Sequence, residues 1–136
     1  MRKIFKVGIV GCGLIGNKRA KALGKNGILT ACSDIDIIKA QKLSKDTGAK
    51  VYSNWHELVS SKEVEIVIIA TRHDSLAEIT IAAAEHGKHV LVEKPGAKNV
   101  SECDIHLPVT LLPNLSHQEQ VFHFYVTHRI SHWKIF

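Results

Sequence analysis

Proline, cysteine and aromatic residues are scarce in this chain, and its first 33 residues hold no acid. The three prolines, Pro95, Pro108 and Pro113, all fall late, so most of the 136 residues are free to form regular elements. The three cysteines, Cys12, Cys32 and Cys103, contain no C-x-x-C pair and are odd in number. That excludes a disulfide framework and fits reduced thiols. Cys32 reads as a small hydrophobe in a strand, and a reactive role for Cys12 is not expected. No apolar run approaches the roughly 20 residues needed to span a bilayer. The charged start, Met1 to Lys6, resembles a signal peptide only in charge, because Lys6 and the glycines after it interrupt any apolar core. Together these features predict a cytoplasmic protein with no membrane partner. Seven basic residues precede the first acid, Asp34, within a net charge of +5. No aromatic residue interleaves them after Phe5, so stacking on nucleic acid is not expected. The field they create favours a phosphate-bearing ligand. No His/Cys cluster has metal-site spacing, and no metal is expected.

The chain does contain alternating strand and helix patterns up to about residue 95. Strands read as Lys6–Val10, Leu29–Ser33, Lys50–Tyr52, Glu65–Ala70 and His89–Val92. Helices read as 15–25, 36–47, 54–60 and 75–86. Gly27, Gly48 and Gly87 each read as a helix stop just before a strand. Asn54-x-x-Glu57 and Ser75-x-x-Glu78 resemble capping boxes. The β-branched run Ile66-Val67-Ile68-Ile69 suits a strand covered on both faces. This rhythm predicts an α/β fold: a Rossmann-type, doubly wound parallel sheet forming one domain.

Gly11-Cys12-Gly13-Leu14-Ile15-Gly16 lies at the first strand-to-helix turn. This G-x-G-x-x-G is the pattern on which a dinucleotide pyrophosphate can sit. The first glycine makes the turn, the second admits the phosphate to bare backbone, and the third lets helix and strand approach closely. The N–H groups of the first helical turn, at Leu14, Ile15 and Gly16, then face the anion. Asp34 follows the second strand, 18 residues beyond Gly16, close to the spacing of about 20 expected for a ribose-binding acid. Its carboxylate would accept from the ribose hydroxyls and repel a 2′-phosphate, which favours NAD over NADP. Asp34 and Asp36 can each also be read as a helix N-cap.

The ordered set Gly11-x-Gly13-x-x-Gly16, Asp34, Ile69-Ala70-Thr71 and Gly87-Lys88-His89-Val90-Leu91-Val92-Glu93-Lys94-Pro95 resembles the N-terminal domain of the Gfo/Idh/MocA oxidoreductases. The resemblance covers roughly the first 100 residues. It implies that the glycine turn holds the NAD(P) pyrophosphate and Asp34 the adenosine ribose. Thr71, with Arg72 and His73, would line the nicotinamide side. Glu93 and Lys94 would lie beside the nicotinamide, with Lys94 the catalytic candidate that assists proton transfer. A lysine partly desolvated near positive charge has a lowered pKa suited to that role.

Two positions depart from the family pattern. Arg72 stands where many members carry proline, and Leu76 where a histidine is common. Arg72 either pairs with a phosphate or substrate carboxylate or is a surface loop residue. His86 and His89 read as structural. After Cys103 the chain does not resemble the family continuation. From Ile105 to Phe136 there is no glycine, one acid (Glu119) and five of the nine histidines. Residues 1–104 are therefore expected to form the NAD(P)-binding domain. Residues 105–136 are expected to form an atypical tail, a truncation or frameshift being the first explanation, and the family's substrate domain is absent. Within the tail, Val121–Val126 could form a strand. The functional expectation is the nucleotide-binding part of a hydride-transfer enzyme that acts on a sugar or polyol only when a substrate domain is supplied. The alternative is a non-catalytic NAD(H)-binding sensor or scaffold. A methyltransferase shares the glycine turn, but Glu93-Lys94-Pro95 argues against it. The sequence does not specify an oligomeric state.

Overall fold

In a computed structural model, described for residues 3–72, 74–93 and 126–127, four consecutive residues of the first strand, Val7 to Val10, are buried. A strand reads this way only when both faces of its sheet are covered. The elements run β1 (Phe5–Val10), α1 (Leu14–Ala22), β2 (Gly27–Ser33), α2 (Ile37–Thr47), β3 (Lys50–Tyr52), α3 (Trp55–Ser60), β4 (Ile66–Ile69), α4 (Leu76–Glu85), β5 (His89–Val92) and β6 (Val126–Thr127). The sheet order is β3-β2-β1-β4-β5-β6. The first five strands are parallel, and β6 pairs antiparallel with β5, Val90 opposite Thr127 and Leu91 opposite Val126. This is the doubly wound Rossmann-type fold. Of the strand expected over Val121–Val126, only Val126 lies among the described residues, and it belongs to β6.

Side-chain alternation along the central strands separates two cores. Val10, Val67 and Ile69 face the side covered by α3 and α4, packing with Leu58, Leu76 and Ile79. Val7, Ile9 and Ile68 face the other side with Cys32, Ala40 and Leu43, where α2 packs and Ala20 and Leu23 are partly buried. Gly8 sits where a Cβ would come within 2.8 Å of Leu58 Cδ2, so α3 lies directly on the backbone of β1. The β1–β2 register shifts between Val7 and Gly8, leaving Thr30 as an extra residue in β2. Its hydroxyl lies 3.2 Å from the Val7 carbonyl and 2.9 Å from that of Glu63, so a polar side chain serves the bulge.

Two local expectations need correction. α1 ends at Ala22, and the left-handed residue after it is Gly24 at φ 58°, not Gly27. Gly27 opens β2 opposite Phe5. With Gly24 first in line the helix turns out early, and Asn26 instead offers its carbonyl to Phe5 N–H at 3.0 Å. Ser75 precedes α4 but makes no side-chain cap; its hydroxyl bonds Thr71 Oγ1 at 3.0 Å. The other caps follow their side chains. Asp36 accepts from Ile38 N–H at 3.1 Å and Asn54 from His56 N–H at 2.9 Å.

Lys88, within the Gly87-Lys88-His89 string, reaches back under the sheet. Its ammonium donates to the carbonyls of Ser61 at 2.5 Å and Val64 at 2.7 Å, in the loop joining α3 to β4. Burial holds its pKa below the usual lysine value, against the opposing pull of Glu65. Ser61 is the C-cap of α3, where a cation also meets the negative end of the helix. Lys88→Met should therefore cost about 1–3 kcal/mol of stability. Thermal denaturation would read this as a drop of several degrees.

Among the described residues, no helix is long and apolar enough to cross a membrane.

Candidate functional site

β1 is the strand from which the chain winds outward in both directions, first to β2 and β3 and then back across to β4. In open parallel sheets the crevice at the carboxyl ends of such neighbouring strands receives ligands. Here that crevice lies between the turn after β1 and the end of β4. Gly11 adopts φ 97°, and a Cβ on it would lie 2.5 Å from the Ala70 carbonyl carbon and oxygen. The turn therefore rests on the Ala70–Thr71 peptide with no room for a side chain. At Gly16 a Cβ would lie 1.9 Å from the Gly11 carbonyl oxygen, so α1 can start this close to the turn only with glycine there. Gly13 is different: a Cβ there would meet nothing within 4 Å. It is the one glycine of the three that faces open space, and a ligand can approach its backbone.

The turn is held by side chains as well. Asn17 spends its amide N–H groups on the carbonyls of Cys12 and Gly13, both at 2.8 Å. The first intrahelical bond is Asn17 N–H to the Gly13 carbonyl at 3.0 Å, so the N–H groups of Leu14, Ile15 and Gly16 precede the helical ladder. Asp34 turns its carboxylate onto the same turn. Oδ2 accepts from Cys12 N–H at 2.6 Å and Oδ1 from Asp36 N–H at 2.8 Å. Asp36, not Asp34, is the N-cap of α2. The N-cap reading shared by the two acids thus falls to Asp36, and Asp34 lies at the glycine turn. Cys12 and Cys32 are free and buried beneath. Contact with the Cys32 thiol, and then burial, push the Cys12 thiol well above the ordinary cysteine range. It is a poor nucleophile.

Thr71 follows β4 at the edge of the crevice, its hydroxyl bonded to Ser75. Arg72 is exposed. Glu93 follows β5, donates its N–H to Ile69 O at 3.0 Å, and pairs its carboxylate with Arg19 of α1. His73, Lys94 and Cys103 lie outside the described residues. Among the described residues no three His, Cys, Asp or Glu side chains are grouped to hold a metal.

A glycine turn carrying a carboxylate from β2 is the geometry of a dinucleotide-binding crevice. The model of one protein family, described as "Oxidoreductase family, NAD-binding Rossmann fold" (GFO_IDH_MocA), matches residues 5–110. The chain belongs to the Gfo/Idh/MocA oxidoreductase family.

As the NAD-binding domain of that family, it is similar to the N-terminal parts of several longer proteins. An uncharacterized oxidoreductase of Streptococcus pneumoniae is 41% identical over 100 residues, covering 74% of this chain and 27% of that protein. The inositol 2-dehydrogenase/D-chiro-inositol 3-dehydrogenase of Lactiplantibacillus plantarum is 38% identical over 105 residues, covering 74% of this chain and 30% of that enzyme. The crystal structure of an NAD binding oxidoreductase from Klebsiella pneumoniae superposes with a TM-score of 0.69 at 30% identity, covering 76% of this chain and 30% of that one. The chain thus spans between a quarter and a third of the length of the relatives it matches.

Within this Gfo/Idh/MocA domain the fold brings Gly11, Gly13, Leu14, Ile15, Gly16, Asp34 and Thr71 to one end of the sheet. Sequence reasoning missed Asn17 and Arg19. Asn17 carried a weak signal, as a short amide one position past the glycine motif. Arg19 carried none, because its partner is 74 residues away.

Proposed function

We propose that this chain binds NAD(H) as the nucleotide half of a polyol dehydrogenase of the inositol dehydrogenase type. The pyrophosphate would sit on the Gly11–Gly16 turn, against the N–H groups of Leu14, Ile15 and Gly16. Asp34 would take the adenosine ribose. Thr71, Arg72 and His73 would border the nicotinamide side, and Lys94 would exchange a proton with the reacting hydroxyl. Bound NAD supplies the hydride acceptor. The residues of this chain bind and orient it, and Asp34 disfavours a 2′-phosphate by charge. The observation that carries the reading is the Asp34 carboxylate lying 2.6 Å from Cys12 N, on the one turn whose middle glycine faces open space.

The substrate class is proposed from the inositol dehydrogenases among the relatives. A reacting carbon must be held on both sides against the nicotinamide, and a single nucleotide domain offers one wall. Residues 1–104 are read as that domain. The glycine-free residues 105–136 are read as an atypical tail, unlike the family's continuation. On this reading the polypeptide by itself has little dehydrogenase activity. Free thiols at Cys12 and Cys32 support a cytoplasmic location.

Calorimetric titration tests the proposal. NADH should bind with one site per chain, and NADPH at least about tenfold more weakly, the equivalent of about 1.4 kcal/mol. No heat with NADH from a folded sample removes the reading. Sustained NADH production from NAD and myo-inositol would show that the chain is catalytically sufficient.

A further inference from the structure

The helix that carries the proposed pyrophosphate site has little apolar anchorage. Gly16 is the one buried residue of α1, while Leu14 is 73% and Ile15 41% exposed. By comparison α2 buries Ala40 and Leu43, and α4 buries four residues. Apart from the Gly16 contact and the partly buried Ala20 and C-cap Leu23, α1 depends on polar ties for its place above the sheet.

One such tie stands out. Arg19, in the last turn of α1, pairs through Nε with the carboxylate of Glu93 just past the carboxyl end of β5. The Glu93 and Arg19 side chains are 14% and 32% exposed. The other ion pairs among the described residues are surface pairs, each with a partner at least 56% exposed. Such pairs contribute little, whereas taking Arg19 away from this partly buried pair leaves the Glu93 carboxylate without its cation. Glu93 is itself fixed, since its N–H extends the β4–β5 ladder onto Ile69. An uncompensated carboxylate in this crevice would also repel a pyrophosphate.

We infer that Arg19 and Glu93 are positioning residues for the dinucleotide site. The pair anchors α1 to the end of β5, and Glu93 serves the cofactor through Arg19 and not by touching it. Rotation or sliding of α1 would displace the N–H groups of its first turn, so the ion pair sets how well those groups meet an anion. This inference rests on the proposed NAD site.

The test is a double-mutant cycle of Arg19→Met, Glu93→Gln, their combination and the charge swap R19E/E93R. Each is titrated with NADH and with ADP-ribose, which keeps the pyrophosphate and lacks nicotinamide. Either single substitution should weaken both ligands equally, by about tenfold. The combined variant should be no weaker than the worse single one, and the swap should recover part of the loss. A loss confined to NADH in Glu93→Gln, with Arg19→Met unaffected, makes Glu93 a nicotinamide ligand and overturns the inference. Additive effects, no effect, or a swap that recovers nothing, folded or not, overturn it too. Wild-type protein that binds neither ligand removes the NAD site and this inference together. Wild-type binding with unaltered variants removes only the inference.

Discussion

Gly16→Ala should abolish measurable NADH binding and lower the melting temperature by roughly 10 °C or more. The added methyl would sit 1.9 Å from the Gly11 carbonyl oxygen, where Cβ contacts below 3.0 Å essentially never occur. No flexible side chain is available to yield, because the obstacle is backbone. Gly11 cannot retreat either, since its own α-carbon is packed on the Ala70–Thr71 peptide. Either α1 lifts away from β1 or the turn opens, at a cost of about 3 kcal/mol or more. Gly13→Ala provides the contrast. Its φ of −77° suits any residue, and its Cβ meets no protein atom within 4 Å. Stability should stay within about 1 kcal/mol of wild type, the N-cap preference being the main change. NADH affinity should still fall at least about tenfold, because the methyl occupies the space through which a phosphate reaches the backbone. Calorimetry and thermal melts on the two variants check both halves. A Gly13→Ala protein that binds NADH normally would place the phosphate elsewhere.

Asp34→Ala should weaken NADH binding about a hundredfold and erase most of the preference over NADPH. Two losses combine. The ribose hydroxyls lose their acceptor, and the turn loses its brace. Cys12, which is 2% exposed, is left with an N–H whose acceptor has gone, at a cost of about 1–3 kcal/mol. Asp34→Asn separates the effects. One amide oxygen can still accept from Cys12 N–H, but the amide nitrogen then faces Asp36 N–H, donor against donor. That variant should keep most of the stability and lose much of the affinity. Both variants remove the charge that repels a 2′-phosphate, so the ratio of NADPH to NADH affinity should rise in each. An Asp34→Ala protein with wild-type NADH affinity would mean that this carboxylate does not touch the cofactor.

Lys88 and Glu93 belong to the same family-like string, yet the fold sends them to opposite ends of β5. Lys88 clamps the α3–β4 loop under the sheet, and Glu93 meets α1 above it. Four strand residues separate them, and a strand of that length carries its two ends to opposite rims. A linear motif does not reveal this division of labour by composition alone.

What the residues determined by themselves is the alternation of strand and helix, the buried parallel character of β1 and β4, the glycine turn and the acid that follows β2. These follow from local chemistry: β-branched runs, periodic apolar positions, and backbone geometries open only to glycine. What tertiary structure decided is which distant groups meet. Spacing favours Asp34 for the turn, but either acid can be read as a helix N-cap, and only the docking of β2 beside β1 shows one on the turn and the other on the helix. Arg19 finds Glu93 because β4 and β5 lie on the far side of β1 from β2. Gly24 displaces Gly27 as the left-handed residue because Phe5 pairs with Gly27. In each case the choice is made by strand neighbours, and strand order depends on packing across the whole sheet, which no short window of sequence contains.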